Sequence, residues 1–231
     1  MGHRSTVKRR HGVTSVPTRP ADEASSGPLR RLFAQFAQPS GLLGHVAGFL
    51  MARTDADDRW VVELLDVQPD DRVIEIGFGP GVAIGLLAER ATAGLVAGVD
   101  PSEVMVRQAT RRNRAAVREG RIELRQGTAA ALPYPDAHFT KACALHSLYF
   151  WPSVAEGLRE VRRVLAPGGL LALAVRMHRA EAGRFDPSRY GFTDEQVAEI
   201  VAALGAAGFR QVTTQRRDLD RQTITAILAR R

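Results

Sequence analysis

The chain has 231 residues, of which 45% are hydrophobic and 25% are charged, which is enough for one α/β domain with a sizeable core. Five of its seven net positive charges fall within residues 1–20, so the rest is nearly neutral and a nucleic-acid surface over the whole fold is not expected. The single cysteine, Cys143, excludes a disulfide framework. No apolar run reaches the ~18 residues that span a bilayer, and no signal-peptide core is present, so we expect a cytoplasmic protein.

The first 56 residues differ in composition from the rest of the chain. Residues 1–28 are basic and rich in Pro, Ser and Gly without apolar periodicity, which is typical of a disordered segment. This tail either contacts RNA or an acidic partner or is a solvated leader. Residues 29–56 have the spacing of short helices, and we predict a helical cap there, followed by one domain over residues 57–231.

Strand and helix patterns alternate along residues 57–231. The first pattern is a helix, DDRWVVELLDV, which Asp57 is expected to cap and which ends before Pro69. Strands are predicted at DRVIEI, GLVAGVD, RIELRQG, FTKACAL and GGLLALAVRM, with helices between most of them. The patterns RQVTTQRRDL and RQTITAILAR close the chain with no room for a helix between them. Thr193 and Gln196 form a capping box at the start of the last predicted helix.

This alternation predicts the α/β class. We expect a doubly wound, mostly parallel sheet that is covered by helices on both faces and closed by an antiparallel hairpin. In such sheets ligands bind at the carboxyl ends of the strands. Four places lie there and are expected to converge: residues 77–81, Asp100, residues 127–136 and residues 146–151.

Three glycines, Gly77, Gly79 and Gly81, lie within five residues between the first strand and its helix. A turn without side chains lets a ligand approach the backbone closely. The spacing is G-x-G-x-G rather than the G-x-G-x-x-G of nicotinamide-binding folds, and Val82 stands where the third glycine would be. No Gly-Lys-Ser/Thr follows, which excludes a P-loop. We therefore expect a ligand-binding loop that belongs neither to the nicotinamide-binding folds nor to the P-loop proteins.

Three motifs in order resemble those of the class I S-adenosylmethionine-dependent methyltransferases. They are VIEIGFGPG, VAGVDPS with Asp100 at the end of the second strand, and LAPGG, residues 165–169, before the fifth strand. The resemblance covers roughly residues 57–231, including the closing hairpin. It implies a Rossmann-like methyltransferase fold with a seven-stranded sheet, S-adenosylmethionine as cofactor and S-adenosylhomocysteine as product.

The resemblance also implies a set of cofactor-binding residues. Beside the glycines of the loop, Glu75 is expected to meet the ammonium group of the cofactor, directly or through water. Asp100 is expected to accept both ribose hydroxyls, because one carboxylate offers two acceptor oxygens; the alternative is a cap or turn residue. Pro101 and Met105 are expected to flank the adenine ring, or else to be ordinary turn and helix-packing residues.

One position departs from the family pattern. Many relatives carry Gly-Asp after the third strand, whereas this chain has Gly127 and Thr128. A hydroxyl accepts a hydrogen bond more weakly than a carboxylate does, so the contact with the adenine amino group is weakened. The backbone amide of Ala129 remains able to contact the ring.

Two histidines are candidates for a general base. His146, after the fourth strand, could take a proton from a hydroxyl or amine acceptor, since the ordinary pKa of histidine is near 6.5, or it could hydrogen-bond within its loop. His178, after the fifth strand, is the second candidate. Because the methyl group of the cofactor is already activated, alignment could supply much of the rate without a base. No cluster has metal-ligand spacing, so no metal is predicted.

The predicted cap over residues 29–56 bears on the methyl acceptor. If the cap closes the cofactor pocket, it favours a small, partly apolar organic acceptor, with O-, N- and C-methylation all open; the same helices could instead be an extra packed layer. The alternatives are an RNA-modifying methyltransferase guided by the basic tail and a non-catalytic cofactor-binding protein. We expect no membrane span and no nucleic acid partner except through the tail, and the sequence leaves the oligomeric state open.

Overall fold

The structure is a computed structural model that describes residues 55–179, 191–219 and 222–231. The predicted tail, residues 1–28, and the predicted cap as far as residue 54 lie outside the described residues. The described helices are α1 (Asp55–Leu65), α2 (Val82–Arg90), α3 (Glu103–Arg112), α4 (Arg114–Arg118), α5 (Val154–Val164) and α6 (Asp194–Ala206). The strands are β1 (Arg72–Ile76), β2 (Leu95–Asp100), β3 (Ile122–Gln126), β4 (Phe139–Leu145), β5 (Leu165–Arg176), β6 (Arg210–Leu219) and β7 (Gln222–Arg230).

Seven strands form one sheet in the order β3-β2-β1-β4-β5-β7-β6. β1 to β5 run parallel, whereas β7 pairs antiparallel with both β5 and β6. The strand order reverses between β1 and β4, and in open sheets of this kind ligands bind in the crevice at that point. The predicted doubly wound sheet and its closing antiparallel hairpin are confirmed.

Two apolar cores, one on each face, hold the sheet. Side chains alternate across β1, so Ile74 and Ile76 pack in one core and Val73 packs in the other with Leu65 of α1. Each of these four side chains is at most 2% exposed, and burial of one such side chain contributes about 1.5–3 kcal/mol. The same alternation places Glu75 on the face that α1 covers.

Two helix boundaries differ from the prediction. α1 begins at Asp55, so Asp57 lies inside the helix and its predicted role as the cap is wrong. The single long helix expected after the second strand breaks at Asn113 into α3 and α4. There the side-chain amide of Asn113 donates to the carbonyls of Gly81 and Ala109, at 2.9 and 3.0 Å. The hydrogen bonds of Asn113 therefore connect the end of α3 to the start of α2.

The later boundaries follow the sequence more closely. The capping box of α6 is confirmed, because the Thr193 hydroxyl accepts the Gln196 N–H and the Gln196 side chain accepts the Thr193 N–H. β5 begins within the LAPGG motif that was expected to precede it, since Leu165 pairs with Phe139 ahead of an irregularity in the register. Within the described ranges, no helix is long and apolar enough to cross a membrane.

Candidate active site

The glycine loop joins β1 to α2 at the carboxyl edge of the sheet. Gly77, Gly79 and Gly81 have φ values of 78°, 51° and 78°, a region that favours glycine. A Cβ added at Gly77 would lie 2.4 Å from the Cβ of Ser147, so the close approach of the loop after β4 requires glycine there. At Gly79 no heavy atom of the described part of the chain lies within 4 Å of that position. Gly77 is needed for packing, whereas Gly79 leaves room for a ligand.

Asp100 ends β2 and holds the glycine loop. Its two carboxylate oxygens accept the backbone N–H groups of Gly79 and Ser102, each at 2.9 Å. Burial raises the pKa of Asp100, while these two bonds lower it. The cap of α3 comes instead from Ser102, whose hydroxyl accepts the Met105 N–H. Because a carboxylate has about four lone-pair sites, Asp100 keeps two for the hydroxyl groups of a ligand.

Glu75 is buried at the same edge, 2% exposed. Its Oε2 atom has no hydrogen-bond partner within the described residues. Burial raises the pKa of the Glu75 carboxyl well above its ordinary value, and the charges of Asp58 and Asp100 raise it further. A buried polar atom without a partner is costly, so a cationic or hydrogen-bonding ligand at Glu75 would remove a penalty that the folded chain carries.

The first turn of α1 brings two more acids to this edge. Asp57 and Asp58 are 1% and 6% exposed. The side-chain amide of Gln222, in β7, donates to Oδ2 of Asp57. Arg176, at the end of β5, donates from Nε to the side-chain oxygen of Gln222 at 2.7 Å. The hairpin at the edge of the sheet therefore reaches the start of α1.

His146 follows β4 and lies beside Asp57. Its φ is 53°, which is uncommon outside glycine, and its backbone N–H donates to the carbonyl of Ala174 at 3.0 Å. The Nε2 atom of His146 is 3.9 Å from Oδ2 of Asp57, and neither ring nitrogen has a hydrogen-bond partner among the described residues. Burial and the charge of Arg176 lower the pKa of His146 to about 3. The ring is therefore neutral near pH 7.

The residues predicted around the adenine ring follow β2 and β3. Pro101 is half-buried, and its carbonyl accepts the side-chain amide of Gln126 at 3.0 Å. Met105 is 1% exposed and packs in the core on the α1 face, which fits the packing alternative. Thr128 is exposed and Ala129 is buried. Their contacts with an adenine ring stay predictions.

His178, the second candidate base, is exposed after β5, and its backbone N–H donates to the carbonyl of Phe192 at 2.8 Å.

Tyr149 packs the loop after β4 onto its neighbours. Its hydroxyl accepts the Arg176 N–H at 2.7 Å, and its ring centroid lies 4.6 Å from that of Phe192. Among the residues that the structure covers, no group of three or more His, Cys, Asp and Glu is arranged to hold a metal ion.

Sequence reasoning missed that α1 and the hairpin meet beside His146. Asp57 was interpreted as a cap, and Asp58, Arg176 and Gln222 were not singled out. The sequence did contain one signal, two adjacent acids ahead of the apolar face of the helix, Asp57 and Asp58. A helix cap needs only one such side chain, so the second acid was unexplained. Arg176 and Gln222 belong to no recognisable motif, so only the folded chain connects them with His146.

Comparison with known proteins gives the family. A family model described as a methyltransferase domain matches residues 74–173. YdaC of Bacillus subtilis (strain 168), an uncharacterized methyltransferase, is 27% identical over 74% of this chain and 89% of its own. YrhH of the same strain, also named as a methyltransferase, is 30% identical over 53% of this chain and 67% of its own. The 27-O-demethylrifamycin SV methyltransferase of Amycolatopsis mediterranei (strain S699) is 37% identical over 53% of this chain and 44% of its own.

A solved structure supports the fold. The crystal structure of an S-adenosylmethionine-dependent methyltransferase from Aquifex aeolicus has a TM-score of 0.65 and 20% identity, and the match covers 78% of this chain and 92% of that one. The seven-stranded sheet of this chain agrees with that match in fold. The chain therefore belongs to the class I S-adenosylmethionine-dependent methyltransferases and uses S-adenosylmethionine as its methyl donor.

Proposed function

We propose that this enzyme methylates a small, partly apolar organic acceptor. The relative from Amycolatopsis is named for a small organic compound, 27-O-demethylrifamycin SV, which supports this class of acceptor. The predicted cap, if it closes over the crevice, supports the same class. A cytoplasmic location and the absence of a nucleic acid partner for the described domain are part of this proposal.

The observation that carries the donor site is the buried Oε2 of Glu75, which has no hydrogen-bond partner among the described residues; the open position at Gly79 supports the same site. In the proposed site Glu75 holds the ammonium group of the donor, and the backbone at Gly79 lies against its methionine part. Asp100, already bonded to the loop, offers its two remaining lone-pair sites to the ribose hydroxyls. The adenine ring is assigned to Pro101, Thr128 and Ala129, whereas Met105, which is 1% exposed, has the packing role.

When bound, the donor supplies a methyl group on a sulfonium, which becomes a neutral thioether once the methyl group has left. The residues of this chain orient the reactants and exclude water. His146 follows β4 at the same edge of the sheet as the glycine loop and is a neutral imidazole, so it is able to accept a proton there. His178 remains the second candidate for that role.

The proposal is tested by giving the full chain a methyl-labelled donor together with a small-molecule extract, an RNA fraction and a protein fraction in separate reactions. Mass spectrometry should find label in one or a few small organic compounds. Label confined to RNA or to protein would contradict the proposed acceptor class. Donor binding without label in any fraction would instead support the alternative of a non-catalytic binding protein.

A further inference from the structure

A chain of contacts ends at the ring of His146. Arg176 donates to the side-chain oxygen of Gln222 at 2.7 Å, and the side-chain amide of Gln222 donates to Oδ2 of Asp57. That same oxygen lies 3.9 Å from Nε2 of His146. The backbone of Arg176 is in turn held by the Tyr149 hydroxyl. Three separate elements, α1, β5 and β7, are thus linked to one another beside this imidazole.

The two ionisable groups at the end of this chain do not form an ion pair. An ion pair would raise the pKa of His146 and lower that of Asp57. Instead burial and Arg176 lower the pKa of His146, whereas burial raises the pKa of Asp57 against the opposing effects of Arg176, Arg217 and the Gln222 hydrogen bond. The resting arrangement is a neutral ring beside an acid that accepts the Gln222 N–H.

Hydrogen-bonding chemistry then decides which ring nitrogen carries the proton. An ionised carboxylate only accepts, so Asp57 in its ionised form favours the tautomer that has the proton on Nε2 of His146. A movement of about 1 Å would bring Nε2 and Oδ2 to hydrogen-bond length, and catalytic hydrogen bonds are often long before substrate binds. Nδ1 then carries the lone pair. It is shielded from solvent and has no partner in the described part of the chain.

We propose that Asp57 is a positioning residue that fixes this tautomer, so that Nδ1 of His146 takes the proton of a hydroxyl acceptor. The inference rests on the proposed function. As the acceptor oxygen forms its bond to the methyl carbon, the bond from that carbon to the donor sulfur breaks and its electron pair returns to sulfur. The O–H bond of the acceptor breaks as well, and its electron pair stays on oxygen. The proton becomes the Nδ1–H of an imidazolium, which the Asp57 carboxylate stabilises until the methylated product leaves and the proton passes to water.

The environment of His146 also selects the acceptor class. A hydroxyl oxygen that has gained a methyl group and still holds its proton is a far stronger acid than imidazolium, so even a weak base removes that proton downhill. An alkylammonium has a pKa near that of lysine, about 10.4, and keeps its proton against imidazole, whose ordinary pKa is about 6.5. The pair of Asp57 and His146 therefore serves a hydroxyl acceptor rather than an amine.

The tautomer can be measured without donor or acceptor. Nitrogen-15 NMR of the full chain with labelled histidine should show the His146 proton on Nε2 in the wild type. Asp57→Leu, which removes the acceptor, should shift the ratio towards the Nδ1–H form by at least about tenfold, or 1.4 kcal/mol. Asp57→Glu should retain the wild-type form, and Glu63→Gln, on the exposed face of α1, should leave it unchanged.

A wild-type proton on Nδ1 would overturn the inference, and this measurement holds even if Asp57→Leu does not fold. An unchanged ratio in a folded Asp57→Leu variant would overturn it as well. With an acceptor in hand, Asp57→Leu should lower kcat by about 10²-fold or more while calorimetry shows donor affinity within about twofold.

Equal loss of donor binding and turnover in Asp57→Leu, or methylation of an amine by the wild type, would contradict the assignment. Failure of the wild type to methylate any compound would contradict the proposed function instead. The two failures are distinguishable, because the NMR result needs neither donor nor acceptor.

Discussion

The carboxyl group of Glu75 is buried, and its Oε2 atom has no hydrogen-bond partner among the described residues. This arrangement lowers the stability of the unliganded chain and favours binding of the donor. In the unfolded chain Glu75 ionises above its ordinary pKa of 4.5, whereas the pKa in the folded chain is raised well above that value. The unfolded state therefore releases its proton first as pH rises. Stability is lost from about pH 4.5 upward until the folded pKa is reached.

We predict that Glu75→Gln raises the melting temperature of the unliganded chain, by an amount that grows as pH rises from about 4.5 towards the folded pKa, because glutamine imitates the protonated acid. The same variant should bind S-adenosylmethionine more weakly. Thermal melts without ligand and calorimetry with the donor measure the two effects. Glu63→Gln on the exposed face of α1 is the control and should change neither. Identical melting temperatures for the wild type and Glu75→Gln at pH 8 would contradict the account of this residue.

His146 has the opposite effect on how stability depends on pH. Its folded pKa of about 3 lies below the ordinary 6.5, so the unfolded chain takes up the proton first as pH falls. Stability from this residue is complete above about pH 6.5 and is lost as pH drops towards 3, by up to about 1.4 kcal/mol per pH unit. We predict that His146→Gln loses less stability than the wild type between pH 6.5 and pH 4.5. Urea denaturation at several pH values tests this, and parallel curves for the two chains would refute it.

At the scale of an element, the glycine loop lacks side chains for two different reasons. At Gly77 a side chain would collide with Ser147, whereas at Gly79 the space is open. Gly79 and Gly120 both have positive φ, and a Cβ at either meets no described heavy atom within 4 Å. Substitution by alanine should therefore lower the free energy of unfolding by a similar amount at each position, about 1–2 kcal/mol. Each kcal/mol lowers the melting temperature by about 2–4 °C. Gly77→Ala should cost more, because its Cβ also meets Ser147 at 2.4 Å.

We predict that Gly79→Ala weakens donor binding by about tenfold or more, since the new methyl group fills the space left for the donor, whereas Gly120→Ala leaves the affinity unchanged. Calorimetry on the two variants measures this directly. Equal affinities would show that the open position at Gly79 does not face the donor, and the loop would then have a packing role alone.

The elements themselves were predictable where their signals are local. The β-branched run of β1, the glycine spacing and the acid at Asp100 each act through neighbours in the sequence or at the end of the next strand. Asp57 was misassigned because its contact, Gln222, lies 165 residues further along the chain. The break at Asn113 was missed for the same reason, because one partner of its amide, Gly81, lies 32 residues earlier.

At the scale of the whole molecule, the residues of the proposed donor site and the residues that approach His146 come from different parts of the chain. Glu75, the glycine loop and Asp100 lie within residues 74–173, which the family model matches. Asp57 lies before that range, and Arg176 and Gln222 lie after it. His146 lies within the matched range, whereas Asp57 beside its ring and the two residues linked to Asp57 lie in the parts of the chain that flank it. The family motifs therefore indicate the proposed donor site and leave the acceptor open.

One measurement tests the central claim most directly: transfer of label from a methyl-labelled donor into a small-molecule extract by the wild type, Gly79→Ala and Gly120→Ala, all at a donor concentration below the dissociation constant of the wild type. We predict that the wild type and Gly120→Ala label the same small organic compounds at similar rates, and that Gly79→Ala labels them about tenfold more slowly or worse. Equal rates for the three chains, or label that appears in RNA or protein but not in small molecules, would contradict the account.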